Sequence, residues 1–212
     1  MSQTRTYIEE EIRESIAVKT ALLQETSERI VEAASLIQDR LDAGGKLVVF
    51  GNGGSAADAQ HLAAELVGRY RQDRKAIAAI SLTTDSSALT SISNDYGFDT
   101  VFSRQLEAIA KPGDIVLAIS TSGNSSNVIR AVALAKKLGI PSIGLTGRSG
   151  GKLLTLVDVC LQVPSDSTPR IQEAHSLIIH IISGIVENAA INDSRSAGTE
   201  EMSAASNNKD AA

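Results

Sequence analysis

Lys46-Leu-Val-Val-Phe-Gly-Asn-Gly-Gly-Ser-Ala-Ala-Asp-Ala-Gln-His-Leu-Ala-Ala-Glu-Leu-Val-Gly-Arg69 is the stretch whose reading decides the fold. Its apolar run, Leu47 to Phe50, reads as a strand, and Gly51-Asn-Gly-Gly-Ser55 reads as a tight turn. The alanine- and leucine-rich remainder reads as a helix bearing His61, Glu65 and Arg69. Residues four apart stand on neighbouring turns of one helix face. An imidazole and a carboxylate therefore share a row that starts from a glycine-rich strand end. Ala56, Ala57, Ala59, Leu62, Ala63, Ala64, Leu66 and Val67 take up most of the remaining circumference. That is the pattern of a helix packed on several sides, where a carboxylate beside an imidazole needs a reason to be there.

Working outward, four more short apolar segments follow at Ala76–Ser81, Asp114–Ser120, Pro141–Gly147 and Val157–Val163, the first being Lys46–Gly51. Several are apolar almost throughout, as strands buried on both faces of a parallel sheet are. Helical patterns lie between them at Ser55–Tyr70, Ser86–Ser93, Thr100–Ala110 and Ser125–Leu138, with a turn-rich piece at Ser149–Leu156. Strands alternating with helices predict a doubly wound α/β domain. Upstream, Ile8, Ile12, Ile16, Leu22 and Leu23 form one helical stripe and Ile30, Ala33, Ala34, Ile37 and Leu41 another. These read as two helices, or one bent helix, ended by Gly44-Gly45. A last helix is expected over Arg170–Ala189. From Asn192 the residues turn small and polar, the composition of a disordered tail. The expected organisation is one domain over residues 1–191 and a tail over 192–212.

Composition narrows the function classes. At 212 residues the chain is long enough for one sizeable domain and short for two. With aromatics at 3% and no Trp, the core must be built from Ala, Val, Ile and Leu. The net charge of -5 argues against a nucleic-acid surface, which carries a basic bias. One cysteine, Cys160, rules out an internal disulfide, and its apolar surroundings read as those of a buried thiol. The acidic N-terminus has no apolar leader pattern, and the apolar runs read as too short to cross a bilayer. A soluble, cytoplasmic setting is expected.

Ligands of open α/β sheets bind beyond the carboxyl ends of the strands, and two strand ends here carry suitable residues. The first is Asn52, Gly53, Gly54 and Ser55, where glycines admit close backbone approach and the helix N-terminus offers amide groups to an anion. The second is Ser120, Thr121, Ser122, Gly123, Asn124 and Ser125, with four hydroxyls at a helix start. Neither loop matches G-x-G-x-x-G and no Walker lysine follows, which weighs against nucleotides. Hydroxyl-rich helix caps without a ligand are the plainer reading of either loop, and two such loops at strand ends favour a phosphate cradle. The last helix holds a second polar row, Gln172, Ser176 and His180. Alone, His180 reads as a hydrogen-bonded core histidine; with His61 and Glu65 it completes a set of two histidines and a carboxylate. His175 sits off that row and reads as structural or interfacial. Asn94 and Asp95 read either as local turn chemistry or as partners for sugar hydroxyls. Arg69 and Arg170 read either as anion holders or as members of ordinary salt bridges.

Together these blocks resemble the sugar isomerase (SIS) domain family over roughly residues 5–190. The residues that carry the resemblance are Gly51-Asn-Gly-Gly-Ser, His61-x-x-x-Glu65-x-x-Gly-Arg-Tyr, Asn94-Asp-Tyr-Gly-Phe, Ser120-Thr-Ser-Gly-Asn-Ser and Arg170-Ile-Gln-Glu-x-His. The resemblance implies a flavodoxin-like five-stranded parallel sheet flanked by helices, with an N-terminal helical extension. It also implies a homotetramer with sites shared between subunits, and a phosphosugar substrate held by Ser55, Ser120, Thr121, Ser122 and Ser125. The branch it resembles converts sedoheptulose 7-phosphate to D-glycero-D-manno-heptose 7-phosphate, the first step toward activated heptose for bacterial surface glycans. The resemblance makes Glu65 the base and His180 the acid, and implies zinc on His61, Glu65, Gln172 and His180. Gln is a poor zinc ligand beside His and Glu. Some members carry an acid just before the Arg-Ile-Gln block; Pro169 stands there, so any proton relay at that position is absent. Non-enzymatic relatives that bind the bacterial replication initiator, or that sense phosphosugars, are the competing readings. The former would not need Glu65 with His180, and against the latter no DNA-binding module or basic stretch accompanies the domain here.

Overall fold

The structure, a computed structural model, describes residues 2–207, with side chains described for residues 2–192. The last helix, expected to end near Ala189, runs on to Asn207 and so through most of the tail expected over 192–212, whose residues 208–212 lie outside the described ones. Two N-terminal helices, α1 (Gln3–Glu25) and α2 (Ser27–Asp42), precede five strands: β1 (Leu47–Gly51), β2 (Ala79–Ser81), β3 (Ile115–Ile119), β4 (Ser142–Thr146) and β5 (Val159–Gln162). The helices among and after them are α3 (Gly54–Val67), α4 (Ser86–Tyr96), α5 (Val101–Ile109), α6 (Ser126–Lys137) and α7 (Thr168–Asn207). All five strands are parallel, in the order β2-β1-β3-β4-β5. This is the flavodoxin-like order, whose direction of growth reverses between β1 and β3.

Strand alternation builds the layers. Leu47 and Val49 of β1, with Ile115, Leu117 and Ile119 of β3, face α1, α2, α3 and α7 in one apolar cluster. Val48 and Phe50, with Val116 and Ala118, face α5 and α6 in the other. Both clusters are nearly dry, which is why strands without alternation in sequence are central here. Among the few aromatics, Phe50 stacks on Phe102 with ring centres 5.4 Å apart.

Three differences from the sequence reading have physical causes. The α3 helix stops at Val67, because Gly68 turns the chain away with ψ -106°, so Tyr70 lies outside it. The α4 helix continues to Tyr96 before Gly97, so Asn94 and Asp95 occupy its last turn rather than a loop. The third concerns membrane-spanning length: Thr168–Asn192 is apolar and long enough to qualify, with a mean hydropathy of 1.4. Its Ile171, Ala174, Ile178, Ile179, Ile182 and Val186 are buried in the sheet-facing cluster, so the apolarity is that of a core helix.

His175, also on α7, is fully buried with its Nε2 3.2 Å from the Thr146 carbonyl oxygen. A carbonyl only accepts, so Nε2 carries the proton. Burial lowers the His175 pKa to about 4, and the carbonyl contact offsets this only in part. The folded state therefore disfavours the charged ring. Its contribution is fully present above the unfolded value of about 6.5 and is lost as pH falls toward 4. Between pH 7.5 and 5.0 we expect about 2 kcal/mol of stability to disappear through this residue. Urea unfolding at both pH values checks it. His175→Gln keeps a donor for Thr146 and cannot ionise, so its pH slope should be shallower than that of the parent; an equal slope refutes the assignment.

Candidate active site

Both α3 and α7 start at the carboxyl edge of the sheet, after β1 and β5, and so run side by side in the same direction. Their polar rows pair rung by rung. Gln172 lies against the first turn of α3, where a Cβ at Gly54 would stand 2.3 Å from its Nε2. One turn on, Ser176 Oγ donates to Asp58 Oδ1 at 2.9 Å. One turn further, His180 Nε2 stands 3.3 Å from His61 Nε2, which is 3.0 Å from Glu65 Oε1. The rings of His61 and His180 meet edge to face at 4.9 Å. His61 is about two-fifths exposed and Glu65 one-fifth, so the cluster opens to solvent on one side.

These three side chains form the group of potential metal ligands found among the described residues, with donor atoms within 4.8 Å of one another. A single Nε2 faced by both a carboxylate oxygen and a second Nε2 cannot satisfy both with one proton. Two imidazole nitrogens and a carboxylate oxygen suit zinc and leave a coordination position open. Gln172 lies two rungs away at Gly54. Burial raises the Asp58 carboxyl above its ordinary range, against the Ser176 hydrogen bond and the nearby His61.

The two loops meet at the switch point. Gly53 takes φ +56°, a left-handed conformation that frees the start of α3, and Ser55 is buried beside it. Across the crevice, Ser120 Oγ lies 3.0 Å from Ser125 Oγ. Ser125 occupies the cap position of α6, yet its side chain makes no cap hydrogen bond. Its hydroxyl is turned toward Ser120, which leaves the helix's first amide groups to an anion. Gly123 (φ +64°) packs its backbone on Gly150, where a Cβ would lie 1.9 Å from the carbonyl oxygen. Thr121 is partly buried and Ser122 exposed, the Ser122 Oγ accepting from Asn124 N–H at 3.2 Å.

Asn52 exchanges two side-chain hydrogen bonds with Asn127, at 2.8 and 2.9 Å, tying the two loops together. The sequence patterns barely mark Asn127. Its only signal is an amide heading the apolar row Val128, Ala131, Val132 and Ala135. Asn94 and Asp95 are exposed and bonded to each other, Asn94 Nδ2 donating to Asp95 Oδ1 at 2.8 Å. Arg69 is exposed and has no ion pair among the described residues. Arg170 takes the salt-bridge alternative: it is nearly buried and pairs with Glu11 at 3.0 Å and Glu173 at 2.9 Å. Cys160 is only half-buried, and desolvation raises its thiol pKa.

Comparison with known proteins agrees with this geometry. The SIS domain model matches residues 12–147. A phosphoheptose isomerase of Geotalea daltonii is 51% identical over 188 residues, 89% of this chain and 98% of that protein. One from Geobacter sulfurreducens is 54% identical over 177 residues, 84% of this chain and 94% of that protein. The solved phosphoheptose isomerase of Neisseria gonorrhoeae superposes with a TM-score of 0.84 at 46% identity, covering 88% of this chain and 100% of that one. With a matching domain model, end-to-end relatives and a shared sheet, the chain belongs to the SIS domain family, among its phosphoheptose isomerases.

Proposed function

We propose that the chain interconverts sedoheptulose 7-phosphate and D-glycero-D-manno-heptose 7-phosphate, the entry to activated heptose for surface glycans. The observation that carries this reading is the meeting of Glu65 and His180 on two helices that both start at the carboxyl edge of the sheet, where the hydroxyl-lined loops lie, in a chain 51% identical to a phosphoheptose isomerase. Ketose–aldose exchange needs one base to carry a proton between adjacent carbons and one acid/base to serve their oxygens. Glu65 takes the first role and His180 the second. Ser55, Ser120, Thr121, Ser122 and Ser125 hold the phosphate with the amides of Gly53 and Gly54. Grip on this remote group orients the reacting carbons. Asn52, Arg69, Asn94, Asp95 and Gln172 complete the substrate contacts in this reading.

His61, Glu65 and His180 would hold one zinc per subunit, with Gln172 the weakest member of the set. Bound there, zinc would polarise a carbonyl oxygen of the sugar. A Glu65 oxygen committed to metal is less basic, so base and ligand compete for the same lone pair. We further assign a cytoplasmic setting, a single domain over residues 1–191 and a homotetramer. In support of assembly, Ile8, Ile12, Ile16 and Leu23 form an exposed apolar row on α1, of the kind that marks protein contacts.

Coupled turnover assays with sedoheptulose 7-phosphate, fructose 6-phosphate and ribulose 5-phosphate test the proposal. The seven-carbon substrate should give the highest kcat/KM. Preference for either shorter sugar, or no turnover of any, overturns it.

A further inference from the structure

Behind the His61–Glu65–His180 cluster, three backbone amides point at one carboxylate. Tyr70 N–H donates to Glu187 Oε1 at 2.8 Å, and Arg71 and Gln72 N–H donate to Oε2 at 2.9 and 3.1 Å. Glu187 is almost fully buried, and Arg74 Nε, on an equally buried side chain, stands 3.6 Å from Oε1. A buried charge persists only when its lone pairs and its charge are met. Burial pushes this carboxyl up, but the three amides and Arg74 outweigh it and hold the group below the usual range.

Arg74 also reaches the end of α3, donating to the carbonyls of Glu65 at 2.8 Å, Leu66 at 2.7 Å and Gly68 at 3.2 Å. The Arg74–Glu187 pair thus joins α7, the Tyr70–Gln72 turn and the last turn of the helix that carries Glu65. What the turn delivers is the Tyr70 ring. It stacks on His180 with centres 5.5 Å apart and planes 22° apart. Gly184, one turn past His180, leaves it room, since a Cβ there would stand 3.3 Å from Tyr70 Cε1. Functional histidines are usually oriented by a hydrogen bond to the second ring nitrogen. Among the described residues, His180 has one polar contact, with His61 Nε2. Its orientation therefore falls to ring packing.

We propose that Glu187 is a positioning residue for the isomerisation: by fixing the Tyr70–Gln72 turn, it holds the Tyr70 ring against His180 and sets the direction in which that imidazole faces His61 and Glu65. This rests on the role given to His180 above. The test compares Glu187→Gln, Tyr70→Leu, Tyr70→Phe and the Glu187→Gln/Tyr70→Leu double variant. In either orientation the amide of Gln sets its NH2 against backbone donors, Tyr70 N–H at one position or Arg71 and Gln72 N–H at the other, so the turn loosens. Misplacement of a reacting group by 1 Å can cost about 10²-fold in rate. We expect kcat for sedoheptulose 7-phosphate to fall roughly 10- to 100-fold in Glu187→Gln and in Tyr70→Leu, with KM nearly unchanged. The double variant should be no slower than Tyr70→Leu, and Tyr70→Phe, which keeps the ring, should retain turnover.

Proton NMR of the His180 ring supplies the second readout. The upfield shift from the stacked tyrosine should vanish in Glu187→Gln and Tyr70→Leu and persist in Tyr70→Phe. If Glu187→Gln does not fold, Glu187→Gln/Arg74→Gln removes both charges together and should lose the same shift. An unchanged His180 shift and kcat in Glu187→Gln, or losses that multiply in the double variant, overturn the proposal. Absence of wild-type turnover on every ketose phosphate overturns the functional reading instead, and the His180 spectrum still decides the positioning role.

Discussion

Glu65→Gln should lower isomerase turnover by about 10³-fold or more while leaving the fold intact, at the upper part of the 10²–10⁴ range for a positioned acid or base. The substitution keeps the shape of the side chain and still offers an oxygen to His61, whose Nε2 lies 3.0 Å from Glu65 Oε1 in the parent. It removes the one property that carbon acid chemistry needs, an oxygen able to accept a proton. Glu65 is partly solvent-exposed, so losing its charge strands no buried partner. The unfolding free energy should accordingly change by less than about 0.5 kcal/mol, as for most substitutions away from the core. Single-turnover rates with sedoheptulose 7-phosphate, set beside urea unfolding curves, separate the two effects. Full turnover in a folded Glu65→Gln protein would remove the base from the mechanism. The same protein tests the competition for this residue, because a neutral amide is a weaker zinc ligand than a carboxylate. Metal content of protein purified without added zinc should fall along with activity.

His180→Gln should cost about 10²- to 10⁴-fold in kcat. An amide can donate a hydrogen bond to a carbonyl oxygen but cannot pass a proton between two oxygens. The effect should fall on kcat more than on KM, since the proposed phosphate grip lies with the Ser120–Ser125 loop rather than with α7. Combining it with Glu65→Gln should produce much less than the product of the two losses, as groups that act as a unit are not additive. Multiplying losses would place His180 outside the proton-transfer machinery. Equilibrium zinc binding, measured without substrate, should weaken in both variants, because His180 Nε2 and Glu65 Oε1 belong to one set of donors within 4.8 Å.

Most of the architecture was legible because each βα unit leaves a local pattern. Leu47–Phe50 followed by Gly51-Asn-Gly-Gly announces a strand and a helix start without reference to the rest of the chain. The row His61, Glu65 and Gln172, Ser176, His180 was legible for the same reason, since spacing by four needs only the helix. Boundaries were less so. Tyr70 looked helical by composition, and only Gly68 with the distant Glu187 takes it out. The polarity of Asn127 was visible, but its partner Asn52 lies on another loop.

By itself the sequence determined the parallel sheet, the two glycine- and serine-rich loops at strand ends and the two helix rows, because these follow from periodicity and turn chemistry acting over a few residues. Only the tertiary structure decided that His180 faces His61 and Glu65, that Arg170 is consumed by Glu11 and Glu173, and that Glu187 organises the turn behind His180. Those contacts join residues more than a hundred positions apart, save Arg170 with Glu173. Their geometry depends on α3 and α7 both starting at the carboxyl edge of one sheet, which no local pattern encodes.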